Sequence, residues 1–193
     1  MARDLQWKLK TSEQLIKDRW ADVKSNSYQK PDGSVIEPFY VYGFPDYTCA
    51  VAITREGKVI LERIYRPGLD VVATELPGGC VDPSDVSPED TIARELREET
   101  GYNFDKIEYL GKTSPNPTTN TNLMHMFLAT GGVFDPHQPL DVDEDVETFL
   151  VSMDELIEMV QQQQFIQSMH TTCIFYALER REEYILSTIK LFL

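Results

Sequence analysis

E-L-P-G-G-C-V-D-P-S-D-V-S-P-E-D-T-I-A-R-E-L-R-E-E-T-G-Y, residues 75–102, decides how the rest of the chain is read. Ser87-Pro88-Glu89-Asp90 is a helix start: a capping-type serine, proline at the first helical position and acids in the first turn. Asp90 stands near the capping-box position, where Glu or Gln is more usual. Gly101 sits where a left-handed C-terminal cap is needed. The spacing predicts a helix from Pro88 to about Thr100, with Ile92 and Leu96, four apart, on its buried face.

Glu95 and Glu99 are also four apart and share a face, with Glu98 beside them. Like charges at this spacing destabilise a lone helix, so exposure to water, nearby arginines or a bound cation must offset them. Arg94 reaches Glu98 at i,i+4. Clustered carboxylates suit hard Mg²⁺ or Mn²⁺. On its own, a bare E-x-x-E-E helix reads as a solvated acidic face rather than a metal site. The turn Pro77-Gly78-Gly79 shifts that reading, because its backbone can approach a metal or phosphate closely.

Outward from this stretch the chain alternates strands and turns. Residues 11–18 read as a turn or a helical turn. Residues 20–28 and 35–44 read as strands of a hairpin around the Lys30-Pro31-Asp32-Gly33 turn. That hairpin has little core of its own and needs something to pack on, such as a second subunit. Further strands are expected at 47–54, 59–65, 71–76, 106–113, 123–129 and 147–152. Ser114–Asn122 is a polar loop too rich in Pro and Asn to continue a strand, and 136–145 is an acidic loop. Helices are expected at 153–164 and over 168–190. The sum is an α+β fold with a mixed sheet, divided into an N-terminal β subdomain, 1–46, and a main domain, 47–193.

Composition sets the outer bounds. The chain has 193 residues, 41% of them hydrophobic and 26% charged, as in a folded protein. Its net charge of −14 repels nucleic acid, and no Lys/Arg cluster counters that field. No apolar run suggests a membrane span, and the N-terminus lacks a signal-peptide core. Cys49, Cys80 and Cys173 are few, odd in number and lack metal-type spacing, which points to reduced thiols in the cytoplasm. His125 and His170 fall in apolar surroundings and read as core residues.

The sequence resembles the Nudix hydrolases, whose box is G-x5-E-x7-R-E-U-x-E-E-x-G-U with U apolar. Arg94-Glu95-Leu96-Arg97-Glu98-Glu99-Thr100-Gly101-Tyr102 matches its second half. Gly79 matches the first glycine, but Asp85 stands where Glu belongs, with one extra residue before Arg94. Counted back from Arg94, Val86 and Cys80 fill the Glu and Gly places instead. Asp32-Gly33, Tyr65-Arg66-Pro67, Glu75-Leu76-Pro77-Gly78-Gly79 and the Ser114-Pro115 loop look like the ADP-ribose pyrophosphatase branch.

The resemblance implies an α/β/α sandwich with a small N-terminal β domain that exchanges across a homodimer. It implies metal-dependent hydrolysis of a nucleoside diphosphate linked to another moiety, ADP-ribose or another nucleotide sugar. Glu95, Glu98, Glu99 and the Gly78 carbonyl would hold Mg²⁺ or Mn²⁺, and Arg94 would orient the glutamates. Arg66, Glu75 and Gly79 would lie near substrate. A loop acid, Glu144 first and Glu147 second, would act as base or supplementary ligand. The irregular first half of the box keeps open an alternative, a non-catalytic Nudix-fold module that binds nucleotide or regulates.

Overall fold

Tyr47–Thr54 is apolar on both faces, as a central strand must be when helices cover both sides of its sheet. In a computed structural model, which describes residues 3–138 and 145–180, it is one of ten strands and three helices among the described residues. The first three strands are β1 (Lys8–Lys17), β2 (Asp22–Gln29) and β3 (Val35–Gly43). Then follow β4 (Tyr47–Thr54), β5 (Val59–Arg66), β6 (Val71–Glu75) and helix α1 (Pro88–Thr100). The remainder is β7 (Tyr102–Asn103), β8 (Lys106–Thr113), β9 (Met124–Phe134), β10 (Val146–Val151), α2 (Met153–Gln161) and α3 (Ser168–Arg180).

The chain forms two compact units. One comprises the residues up to Asp46 together with Ser114–Leu123, and the other comprises the rest. In the larger unit a seven-stranded mixed sheet runs β10-β5-β4-β9-β7, with β6 on β5 and β8 on β9. The β4–β9 pair is parallel, and the other pairs are antiparallel. Alternation along the strands sends side chains to two cores. Ala50, Ala52, Ile60 and Phe127 meet Ile92 and Leu96 of α1 on one face. Val51, Ile53, Leu61 and Met126 meet Leu156 of α2 and Met169, Cys173 and Ile174 of α3 on the other. This is the expected α/β/α sandwich. Burying Ile92 and Leu96 contributes about 1.5–3 kcal/mol each.

In the smaller unit the order is β1-β2-β3, all antiparallel. The stretch 11–18, expected as a turn, lies inside β1, so the expected hairpin is a three-stranded sheet. Every residue of β1 is exposed, so no buried face marks it in the sequence. Its register with β2 is also broken by irregularities at Leu9/Thr11 and Gln14/Ile16. The polar loop joins this unit through backbone: Tyr42 N–H donates to Thr119 O (2.8 Å), and Thr121 N–H donates to Tyr42 O (3.0 Å). Leu123 N–H donates to Asp46 (2.8 Å).

The larger unit differs from expectation in further places. β9 runs on to Phe134, because Gly131 and Gly132 leave room for Asp105 and Phe104. The pair β7, too short to carry a pattern, docks on its end. α2 stops at Gln161, since Gln163 takes a positive φ of 58° that no helix continues through. Residues 139–144 of the acidic loop and the C-terminal part of the expected 168–190 helices lie outside the described residues. No helix of the described residues is long and apolar enough to cross a membrane.

Candidate active site

α1 begins and ends where its caps dictate. Ser87 Oγ accepts from Asp90 N–H at 3.2 Å and donates to Asp90 Oδ2 at 2.9 Å, so Asp90 meets the cap hydroxyl rather than its backbone. Gly101 closes the helix at φ 74°, its N–H donating to Arg97 O at 3.0 Å. Ile92 and Leu96 anchor the helix to the sheet, which turns Glu95 and Glu99 toward the turn after β6.

That turn lies flat on β4. Ala50 N–H donates to Pro77 O (3.0 Å) and Thr48 N–H to Gly79 O (2.8 Å). Between these two bonds Gly78 presses onto the strand at φ 146°, and a Cβ there would sit 2.2 Å from Thr48 O. Only glycine fits this backbone and this space. On its other side Gly78 N–H donates to Glu99 Oε2 at 2.9 Å. A Cβ on Gly79 would fall 2.5 Å from the Glu95 carboxyl, so the second glycine makes room for that carboxylate.

Arg94 ties the acids together. Its guanidinium bonds Glu95 and Glu98, each at 2.9 Å, and Asp85 at 3.0 Å. Asp85 also accepts from Thr91 Oγ1 at 2.8 Å. The Arg94 hydrogen bonds, against the opposing effect of desolvation, hold the Asp85 carboxyl down at about 2, and Asp85 in turn pushes Arg94 above its ordinary value. Asp85, separated from Gly79 by five residues, therefore reaches the arginine despite the extra residue and the shorter side chain.

A second cluster flanks the same turn. Glu75 is 4% exposed and accepts from Arg66 Nε (2.8 Å) and Nη2 (2.7 Å), a bidentate pair. His170 of α3, also 4% exposed, places Nε2 3.2 Å from Glu75 Oε2. Burial alone raises the Glu75 carboxyl, but the Arg66 hydrogen bonds and His170 outweigh it and hold it at about 2. Arg66 and Glu75 thus meet. His170 was expected as a core residue. It is buried, yet it also binds polar groups of the site, and no local spacing links position 170 to position 75.

Other candidates are placed as follows. Glu147 pairs with Arg63 across β10 and β5 at 3.2 Å. Glu144 lies outside the described residues. His125 is an inter-strand residue beside Tyr109. Cys49 and Cys173 are buried thiols, and the Cys173 sulfur and burial push the Cys49 thiol well up.

Among the described residues, no three His, Cys, Asp or Glu side chains form a ready-made metal cage. Glu95 and Glu98 turn to Arg94, and Glu99 to Gly78 N–H. In kind the donors fit a hard divalent cation: three carboxylates on one helix face beside a glycine backbone, all oxygen. In charge they fit too, since Asp85, Glu95 and Glu98 converge on the one guanidinium of Arg94 and Glu99 lies one turn from Glu95.

The model of the NUDIX domain matches residues 44–169. This chain belongs to the Nudix family. Similarity to individual Nudix relatives extends over most of it. It is 29% identical to the ADP-ribose pyrophosphatase of Bacillus subtilis (strain 168), covering 82% of this chain and 85% of that protein. It is 26% identical to the methanol dehydrogenase activator of Bacillus methanolicus, covering 86% and 89%. A crystal structure of an ADP compounds hydrolase shares the fold, with a TM-score of 0.78, 20% identity, and 92% and 96% coverage. The likeness to ADP-ribose pyrophosphatases drawn from the sequence motifs is borne out.

Proposed function

We propose that the protein hydrolyses the diphosphate linkage of a nucleoside diphosphate joined to a second moiety, with ADP-ribose or another nucleotide sugar as substrate. The observation that carries this reading is that α1 brings Glu95 and Glu99 to the Gly78-Gly79 turn while Arg94 holds Glu95 and Glu98. The likeness to a protein named ADP-ribose pyrophosphatase supports the substrate class.

Glu95, Glu98, Glu99 and the Gly78 carbonyl would hold Mg²⁺ or Mn²⁺. Such cations, when bound, neutralise the diphosphate and make a bound water more acidic. The chain's own residues do the rest. Arg94, fixed by Asp85, keeps Glu95 and Glu98 on one side of the helix. Arg66, held by Glu75, offers a fixed guanidinium to substrate oxygens, and Gly79 lets the substrate approach the backbone. Water attacks one phosphorus and the anhydride P–O bond breaks. A loop carboxylate, Glu144 in this reading, takes the water's proton. A nucleoside monophosphate and a phosphosugar leave.

The exposed β1, with Leu9, Leu15 and Ile16 each about half exposed, supports pairing of two copies through the N-terminal sheet, in which the 1–46 segment acts as the dimer domain. Sedimentation as a monomer at micromolar concentration would sink that part. A regulatory module without catalysis is the second reading, favoured by the relative named as an activator. Purified protein incubated with nucleotide sugars and Mg²⁺ or Mn²⁺ separates the two. Release of a nucleoside monophosphate is expected. Binding without release of either product supports the module instead.

A further inference from the structure

We propose that His170 is a positioning residue for nucleotide binding: it holds the Glu75 carboxylate that aims Arg66. The inference rests on the hydrolase reading for its substrate and on this structure for its geometry.

Leu76 N–H donates to His170 Nδ1 at 3.0 Å, across 94 residues of sequence. With Nδ1 accepting, the ring carries its proton on Nε2. That proton faces Gln167 Oε1 at 2.7 Å and Glu75 Oε2 at 3.2 Å. The imidazole therefore does two things at once. It fixes the backbone of the turn at Leu76, two residues before Gly78, and it holds one oxygen of Glu75 from behind. The same carboxylate takes Arg66 through Nε and Nη2.

The three side chains differ in exposure in a telling order. Glu75 and His170 are each 4% exposed, while Arg66 is 47% exposed. The cluster is anchored inside and ends in a cation at the surface. An arginine held this way has lost most of its rotamer freedom before any ligand arrives, so less entropy remains to be lost on binding an anion. His170 comes from α3 and Gln167 directly precedes that helix, so the far helix sets the aim of a residue on β5. A histidine that only filled the core would need neither its bond to Leu76 N–H nor its contact with Glu75.

The test is H170N, with R66A and the double variant. Asparagine keeps an acceptor for Leu76 N–H through Oδ1 and loses the reach to Glu75. The expected result for H170N is a KM for ADP-ribose raised about tenfold with kcat within about threefold. In the R66A background the same substitution adds less than about twofold to KM, because the two act through one path. An unchanged KM, or full independent effects in the double variant, overturns the proposal. A ligand-free reading keeps it separate from the hydrolase reading. In the wild-type protein the Arg66 Nε–H gives a slowly exchanging ¹H–¹⁵N signal, and in H170N that signal broadens. If no nucleotide sugar is turned over, the hydrolase reading fails and this signal alone decides. A signal as sharp in H170N as in wild type then overturns the role of His170.

Discussion

Two networks grip the Glu75–Gly79 turn, and they are built on opposite plans. On the α1 side, Asp85, Glu95 and Glu98 crowd one guanidinium while Glu99 takes the Gly78 N–H. On the α3 side, one carboxylate sits between an arginine and a histidine. The first network sets three carboxylates on one guanidinium, an arrangement that the proposed cation would relieve. The second is satisfied as it stands and needs only to keep its shape. Under the proposed function, the difference separates a part that binds charge from a part that holds a geometry.

Substituting the crowded network should have the largest effect. E99Q keeps an acceptor for Gly78 N–H but removes a charge from the proposed cation site. Its kcat should fall on the order of a thousandfold, with Tm changed by only a few degrees. Activity near wild type would collapse the contrast between the two networks. Next comes acid. Glu75, with a folded-state value of about 2 against an ordinary 4.5, binds its proton more weakly in the folded protein. Its contribution to stability is present above about pH 4.5 and is lost as the pH falls toward 2. For this buried group that amounts to about 3 kcal/mol at most. Urea unfolding at several acidic pH values should therefore show a flatter slope for E75Q than for wild type, and equal slopes would deny the satisfied network its role. The smallest effect belongs to D85N, which weakens one partner of Arg94 and leaves the others. A drop in kcat of about tenfold is expected. A change within twofold would mean that Glu95 and Glu98 suffice to orient the arginine.

The contrast also explains what the sequence made legible. The α1 side is local: cap, apolar spacing and acids all fall within Asp85–Gly101, so residue counting finds them. Its departure from the family box was visible as a miscount, but only the fold shows that Asp85 reaches Arg94, at 3.0 Å. The α3 side joins positions 66, 75 and 170, brought together by sheet pairing of β5 with β6 and by packing of α3. No short-range spacing encodes that, and a buried histidine in an apolar helix looks the same whether or not it does chemistry. β1 was lost for another reason: it is a strand with no buried face, and its irregular pairing with β2 leaves no alternation to read.

The backbone passes between the two units at 46/47, 113/114 and 123/124. A domain attached by one linker can be deleted, fused or exchanged as a cassette. This one cannot. Cutting the chain after residue 46 would strand Thr119 and Thr121, whose backbone groups are paired with Tyr42, and leave a ten-residue insertion with its partner gone. The sheet and the insertion must therefore be inherited, engineered or replaced together, and changes in one are answerable to changes in the other.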